Sequence, residues 1–397
     1  MNQQDKVERV SRALDSLRIE IPSWGFANTG TRFGKFIQNG AATTIEEKFA
    51  DAAQVNELTG ATPIMALHVE WDLPQGVASV PLIRSLVSKY GISAGSINPN
   101  LFQAQEYKYG SICNPDPEVR QKALNHHLDC VEIARQLGSQ DISPWVSDGS
   151  NYPGTQSMRK RIGWMEEIFS QVHAALGPNQ RLLIEYKPFE PAFYHTDIAD
   201  WGMALLLARA AGPQARVLVD TGHHYSAQNI EQIVAWLLSE NMLGGFHFND
   251  RRYADDDLTM GSIDPYQVFR IFQEIRYFEW ETGAKADIAY MVDQSHNLKG
   301  KIEAMIQTVT VAQELFSKAV LADGRELAAA QKNCDLVRAE SILQDAFATD
   351  VRPVIQEWRE SKGLPRSPME AFRQSGYLER ITTERAARNS RNVSSYA

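Results

Sequence analysis

The sequence predicts an α/β fold in which eight parallel strands and their helices close into a (β/α)8 or TIM barrel, followed by a C-terminal helical extension. Two observations carry this expectation. Eight short apolar runs alternate strictly with segments of helical periodicity, which is the pattern of parallel βαβ units, and eight such units close a barrel. Ionisable residues also recur just past the ends of the later runs, on the face where barrels of this kind gather their chemistry.

The runs cover 19–26 (IEIPSWGF), 62–69 (TPIMALHV), 91–97 (GISAGSI), 141–148 (DISPWVSD), 181–188 (RLLIEYKP), 215–222 (ARVLVDTG), 244–250 (GGFHFND) and 287–294 (DIAYMVDQ). Their length and apolar content mark them as strands. Helical spacing occupies 44–58, 80–90, 117–138, 158–176, 195–212, 229–240 and 264–275. Three of these segments end in glycine, as RQLG, ARAAG and SKYG, which suits a left-handed cap. From Lys299 the chain turns helical through about Trp358, and SRNVSSYA forms a polar tail. The expected organisation is therefore a barrel domain over 1–298, including an N-terminal helix, and an extension over 299–397 that packs outside the barrel or on another subunit.

A chain of 397 residues with 43% hydrophobic and 22% charged residues can bury one large core. The net charge of −9 argues against nucleic acid, whose phosphates need clustered Lys and Arg. Cys113, Cys130 and Cys334 are odd in number and widely spaced, so they read as reduced thiols. The opening MNQQDKVERVSRALDSL has no apolar signal core, and no stretch of about 18 apolar residues follows. A cytoplasmic protein without membrane contact is expected. His126 and His127 adjoin on a helix, where their side chains diverge by about 100° and cannot share an ion. MRKRIG (158–163) reads as a solvated helix turn, and no glycine-rich phosphate loop is present.

The strand ends supply Glu185 and Lys187, then Asp220 and His223, then His247 with Asp255 and Asp257 in the following loop, then Asp293. A lone strand-end Asp is more often a helix cap, and His224 alone reads as a packed or ligand-orienting residue. Acids and histidines at four successive strand ends are harder to explain by capping. Carboxylates so crowded raise each other's pKa unless cations neutralise them. An all-oxygen and imidazole set suits Mg²⁺, Mn²⁺, Co²⁺ or Zn²⁺.

IEYKPFEP, VDTGHH, ADDD and MVDQSHN resemble, in order, the metal-dependent aldose–ketose isomerases built on the xylose-isomerase-type barrel. His247 in GGFHFND stands where most xylose isomerases have Asp, a swap that resembles the L-rhamnose isomerase branch. PSWGFANTGTRFGKF, ALHVEWD, QEYKYGSICN, DGSNYPGTQ, EPAFY and QSGYLERI extend the resemblance over nearly the whole chain. It implies two divalent ions, Mn²⁺ foremost, with Glu185, Asp220, His247 and Asp293 on a structural ion. His223, Asp255 and Asp257 would hold a catalytic one, with a carboxylate shared between the two. It further implies that His68 opens the sugar ring, that Lys187 donates to a sugar oxygen, that Asp293 belongs to the catalytic set, and that Trp71, Trp145 and Phe33 contact the sugar, Phe33 from a neighbouring subunit of a homotetramer.

The implied activity interconverts L-rhamnose and L-rhamnulose, or related sugars such as L-mannose, L-lyxose and D-allose, by metal-assisted hydrogen transfer between C1 and C2. A metal-dependent phosphodiesterase or endonuclease on the same barrel is the alternative, disfavoured by the missing basic rim. Glu70 and Tyr186 depart from the expected pattern, and a sugar-facing Glu70 would disfavour a C6 methyl.

Overall fold

The computed structural model describes residues 3–28, 36–190 and 194–390. Eight parallel strands close into a barrel: β1 (Ile19–Pro22), β2 (Ile64–His68), β3 (Ser93–Asn98), β4 (Asp141–Ile142), β5 (Arg181–Glu185), β6 (Ala215–Asp220), β7 (Leu243–Phe248) and β8 (Ala289–Val292). Each pairs with its neighbours in sequence, and β8 returns to β1. All eight predicted strands are present, and most stop two to six residues early. The chain leaves the hydrogen-bond ladder where the polar residues begin. After β1 it tightens into a 3₁₀ turn, Ser23–Phe26, and after β4 it runs on as buried, non-ladder backbone. A small antiparallel pair, Phe189–Glu190 with Tyr194–His195, lies beyond β5.

Seven helices fill the expected gaps: α2 (Ile45–Thr59), α3 (Val80–Tyr90), α4 (Pro117–Leu137), α5 (Met158–Ala175), α6 (Trp201–Ala211), α7 (Ile230–Ser239) and α8 (Pro265–Thr282). Helix α9 (Lys301–Ala319) packs against both α8 and α2 and so takes the eighth place in the ring. Helix α1 (Gln3–Ser16) lies against α9. The start of α2 is set by a capping box, in which the Thr44 side chain and Glu47 satisfy each other's backbone amides. Gly91 and Gly138 cap their helices in the left-handed conformation (φ 66° and 72°). Gly212 departs from that expectation: its φ is 143° and its ψ −180°. A Cβ there would lie 2.5 Å from the His173 ring, so this glycine serves a close approach.

The extension continues as α10 (Gly324–Lys332), α11 (Leu336–Ala348), α12 (Arg352–Ser361), α13 (Pro368–Gln374) and α14 (Tyr377–Asn389), so helix persists well past Trp358. Helix α14 returns to α2. The buried Arg385 guanidinium gives bonds of 2.7 and 2.9 Å to the two carboxylate oxygens of Asp51, and Tyr377 gives a third of 2.9 Å. Burial pushes the Asp51 carboxyl up, and Arg385 opposes it. Asn389 donates to the carbonyls of Asn39 and Ala41 and accepts from Asn28, which ties the extension to the chain after β1.

Other expectations resolve by packing. Cys113 and Cys130 are buried and Cys334 is exposed, all unpaired. His127 is buried against Phe169 and donates to the Ala123 carbonyl, whereas His126 accepts from the Asn100 amide. Within MRKRIG the solvated-face expectation fails for Arg161, which is buried and bonded to Asp197. No helix among the described residues is long and apolar enough to cross a membrane.

Removing one partner of a buried ion pair strands the other charge. Arg385→Ala should therefore cost about 3–5 kcal/mol in urea unfolding. Arg380→Ala, whose Glu384 pair is exposed, should cost less than about 1 kcal/mol. Equal losses would refute the assignment.

Candidate metal centre and active site

Parallel strands in register place four ligand-type side chains at one level of the barrel mouth. Asp220 on β6 lies opposite His247 on β7, Glu185 ends β5, and Asp293 follows β8, its amide bonded to the Phe248 carbonyl at 3.1 Å. Ligand atoms of Glu185, Asp220, His247 and Asp293 all lie within 4.8 Å of one another, and those of Asp220, His223 and Asp255 do likewise. Asp220 belongs to both groups. The turn between Asp220 and His223 needs glycine at 222, because a Cβ would fall 2.5 Å from Asn249 Oδ1 and 3.1 Å from Asp220 Oδ1. Asn249 Nδ2 and the Gly222 amide both donate to Asp220, fixing its rotamer.

Asp257 enters neither group. An extended loop would aim residues 255 and 257 the same way, but this loop is closed by paired bonds between Asp250 and Leu258, and Asp257 sits at φ 48°. Its carboxyl is nevertheless raised, first by burial and then by Asp255, Asp293 and Asp220.

Electrostatics report how strongly the site wants positive charge. Burial opposes charging His223, yet Asp220, Asp255 and Glu185 outweigh it and lift the imidazole to about 9. Burial likewise opposes His247, and Glu185, Asp293 and Asp220 lift it to about 10. Asp220 rises to about 7 through burial and its acidic neighbours. Against burial, His223 and Lys187 hold Asp255 well below the usual carboxylate range; the Lys187 ammonium lies 2.6 Å from it. The raised imidazoles and the Lys187 ammonium are the positive charges that face these carboxylates.

The residues fit divalent cations. Nδ1 of His247 and Oδ1 of Asp255 are buried without a hydrogen bond, although charged partners lie 3.3 Å away. His223 gives its Nδ1 proton to the Tyr186 carbonyl at 2.9 Å, so when neutral its Nε2, which faces Asp220 and Asp255, is left as a ligand. His224 is buried and bonds the Tyr186 hydroxyl at 2.6 Å.

Beside the charged groups stands an aromatic wall. His68 stacks on Trp71 at 3.8 Å, and Phe102 meets His68, Trp71 and Trp145 at 5.7, 6.0 and 5.1 Å. Lys187 Nζ lies 4.9 Å from the Trp145 ring centre. Trp24 joins the two halves, edge-on to His68 at 6.0 Å and donating to Asp293 at 2.8 Å. Burial lowers His68 to about 4, and its Nδ1 faces the Val69 carbonyl at 3.1 Å, leaving Nε2 as an acceptor. Asp72 holds the His68 turn, accepting from the His68 amide and from Lys48 at 2.8 and 2.6 Å, and from Ser23. Glu70, on the same turn, is exposed at φ 79°. Phe33 lies outside the described residues.

Residues 56–299 match the family described as Xylose isomerase-like TIM barrel. The chain belongs to that family. It is 39% identical over 386 residues to a probable sugar isomerase of Rhizobium meliloti, covering 96% of this chain and 89% of that one. To an L-rhamnose isomerase of Bacteroides thetaiotaomicron it is 25% identical over 219 residues, 53% of this chain and 50% of the other. The solved 3-keto-D-glucoside 4-epimerase of E. coli superposes with a TM-score of 0.55 at 13% identity, over 75% of this chain and 99% of that one; this is a likeness of fold.

Sequence reasoning missed Trp24, Phe102 and Asn249 as site residues. Asn249 directly follows β7 and Trp24 lies two residues past the end of β1, which was a usable signal. Phe102 had none.

Cation binding requires neutral imidazoles. The raised pKa values of His223 and His247 therefore predict proton release on loading below about pH 9, and affinity that climbs with pH from 7 towards 9. Calorimetric Mn²⁺ titration in two buffers of different ionisation enthalpy should show at least about one proton released per ion. Loading without proton release would contradict the assignment.

Proposed function

We propose that the protein is a metal-dependent aldose–ketose isomerase. The observation that carries this is the pair of carboxylate–imidazole groups sharing Asp220, joined through Trp24 to a neutral His68 in an aromatic wall. Apolar ring faces with a few convergent polar groups suit a sugar. Membership of the xylose isomerase-like family and the likeness to a probable sugar isomerase support the same reading. The phosphodiesterase alternative gains nothing from a chain of net charge −9.

In this mechanism the sugar lies against Trp71, Phe102 and Trp145, with His68 Nε2 accepting the anomeric hydroxyl proton as the C1–O5 bond breaks and passing a proton on to the freed O5. Glu185, Asp220, His247 and Asp293 would hold one divalent ion, and Asp220, His223 and Asp255 a second, which Asp257 would join only if its closed loop adjusts on loading. Two such ions, Mn²⁺ foremost, would polarise the oxygens on C1 and C2. One hydrogen moves with its electron pair from C2 to C1, while Lys187 Nζ would give O1 its proton and be restored by the proton that O2 loses. A hydride shift is favoured, because every carboxylate at the mouth has a ligand assignment and none is left as base. The preferred substrate is L-rhamnose or a related aldose such as L-mannose, L-lyxose or D-allose. We further infer a cytoplasmic homotetramer in which Phe33 reaches a neighbouring site.

The test is ketose formation from these sugars and D-xylose by metal-stripped and Mn²⁺-reloaded protein. Reloading should restore activity, and His223→Ala should lower kcat/KM by more than the roughly 100-fold typical of residues that only orient a ligand. Metal-independent turnover, or a fully active His223→Ala, would refute the mechanism. Sedimentation should give a tetramer at micromolar concentration; a monomer would remove the role of Phe33.

A further inference from the structure

Two residues at the end of β7 belong to neither ligand group, yet they bridge the loops that carry His223 and Asp255. The Arg251 side chain crosses to the loop after β6. Its Nε donates to the His224 carbonyl at 2.5 Å, Nη1 to the Thr221 carbonyl at 2.9 Å, and Nη2 to the Tyr225 carbonyl at 3.2 Å. These carbonyls flank His223 on both sides. Nη1 also reaches Gln267 Oε1 at 3.3 Å, which anchors the guanidinium to α8. The preceding Asp250 closes the other loop, exchanging backbone bonds of 2.9 Å with Leu258. Its carboxylate accepts from the amides of Arg251, Ile263 and Asp264.

One dipeptide thus sets the spacing of two loops. His223 reaches Asp255 at 3.3 Å only while both loops keep their places, whereas Glu185, His247 and Asp293 sit on or next to barrel strands and do not depend on them. We infer that Arg251 is the positioning residue of the second cation group, selectively fixing His223 against Asp220 and Asp255. This rests on the two-cation reading above. A planar fork with several donors is required for three separate carbonyls; a lysine ammonium on the same stem cannot span them.

The test titrates Mn²⁺ into metal-free wild type, Arg251→Gln and Arg251→Lys, following free Mn²⁺ by electron paramagnetic resonance, with circular dichroism checking each fold. The wild type should bind two ions. Arg251→Gln should weaken the second by about 10–100-fold, the range for residues that orient ligands, and leave the first unchanged, with Arg251→Lys between. Wild-type affinities for both ions in Arg251→Gln, or equal weakening of both, would overturn the inference, because a merely structural clamp would not separate them. If Arg251→Gln does not fold, Arg251→Lys decides by the same ratio. A wild type binding fewer than two ions would overturn the two-cation reading itself, and this inference with it.

Discussion

Everything at the barrel mouth depends on the repulsion among Glu185, Asp220, Asp255, Asp257 and Asp293. Carboxylates crowded so close together, buried or half-buried, cannot all stay ionised without compensating positive charge. The protein meets this with raised imidazoles and Lys187, and the mismatch shows in a raised Asp220 and a raised Asp257. Two buried ligand atoms are left without hydrogen bonds. An arrangement so dependent on protons is one that divalent cations would stabilise, and the barrel holds it open because the acids are spread over β5, β6, the loop after β7 and the end of β8.

The scaffold supports this at two depths. Directly behind the ligands, Asn249, Trp24 and the Tyr186 carbonyl each bond one of them, so rotamers and tautomers are set before any ion arrives. Further out, the buried Lys48–Asp72 pair holds the turn that stacks Trp71 on His68. Arg385 and Asp51 meanwhile fasten the C-terminal helices to α2. The extension is therefore part of the barrel's outer wall on that side.

Much of this was legible in the sequence, for reasons that are local. Strands and helices of distinct period, with glycine and threonine at their ends, define eight units, and ligand-type residues at strand ends must converge once the barrel closes. Glu185, Asp220, His247 and Asp293 came together as the strand pattern implied. What was illegible depends on contacts between distant segments. Asp257 stands outside both ligand groups because its loop is closed rather than extended, and Arg161 was misjudged because its partner Asp197 lies 36 residues away. Phe102 faces His68 from another loop, and nothing in its own neighbourhood marks it.

The most direct test of the account is a crystal of the metal-free protein soaked in Mn²⁺ and measured at a wavelength where manganese scatters anomalously. The account predicts two peaks, one among Glu185, Asp220, His247 and Asp293 and one among Asp220, His223 and Asp255, with Asp220 between them. A mouth without peaks, while the acids keep the positions described, would contradict it.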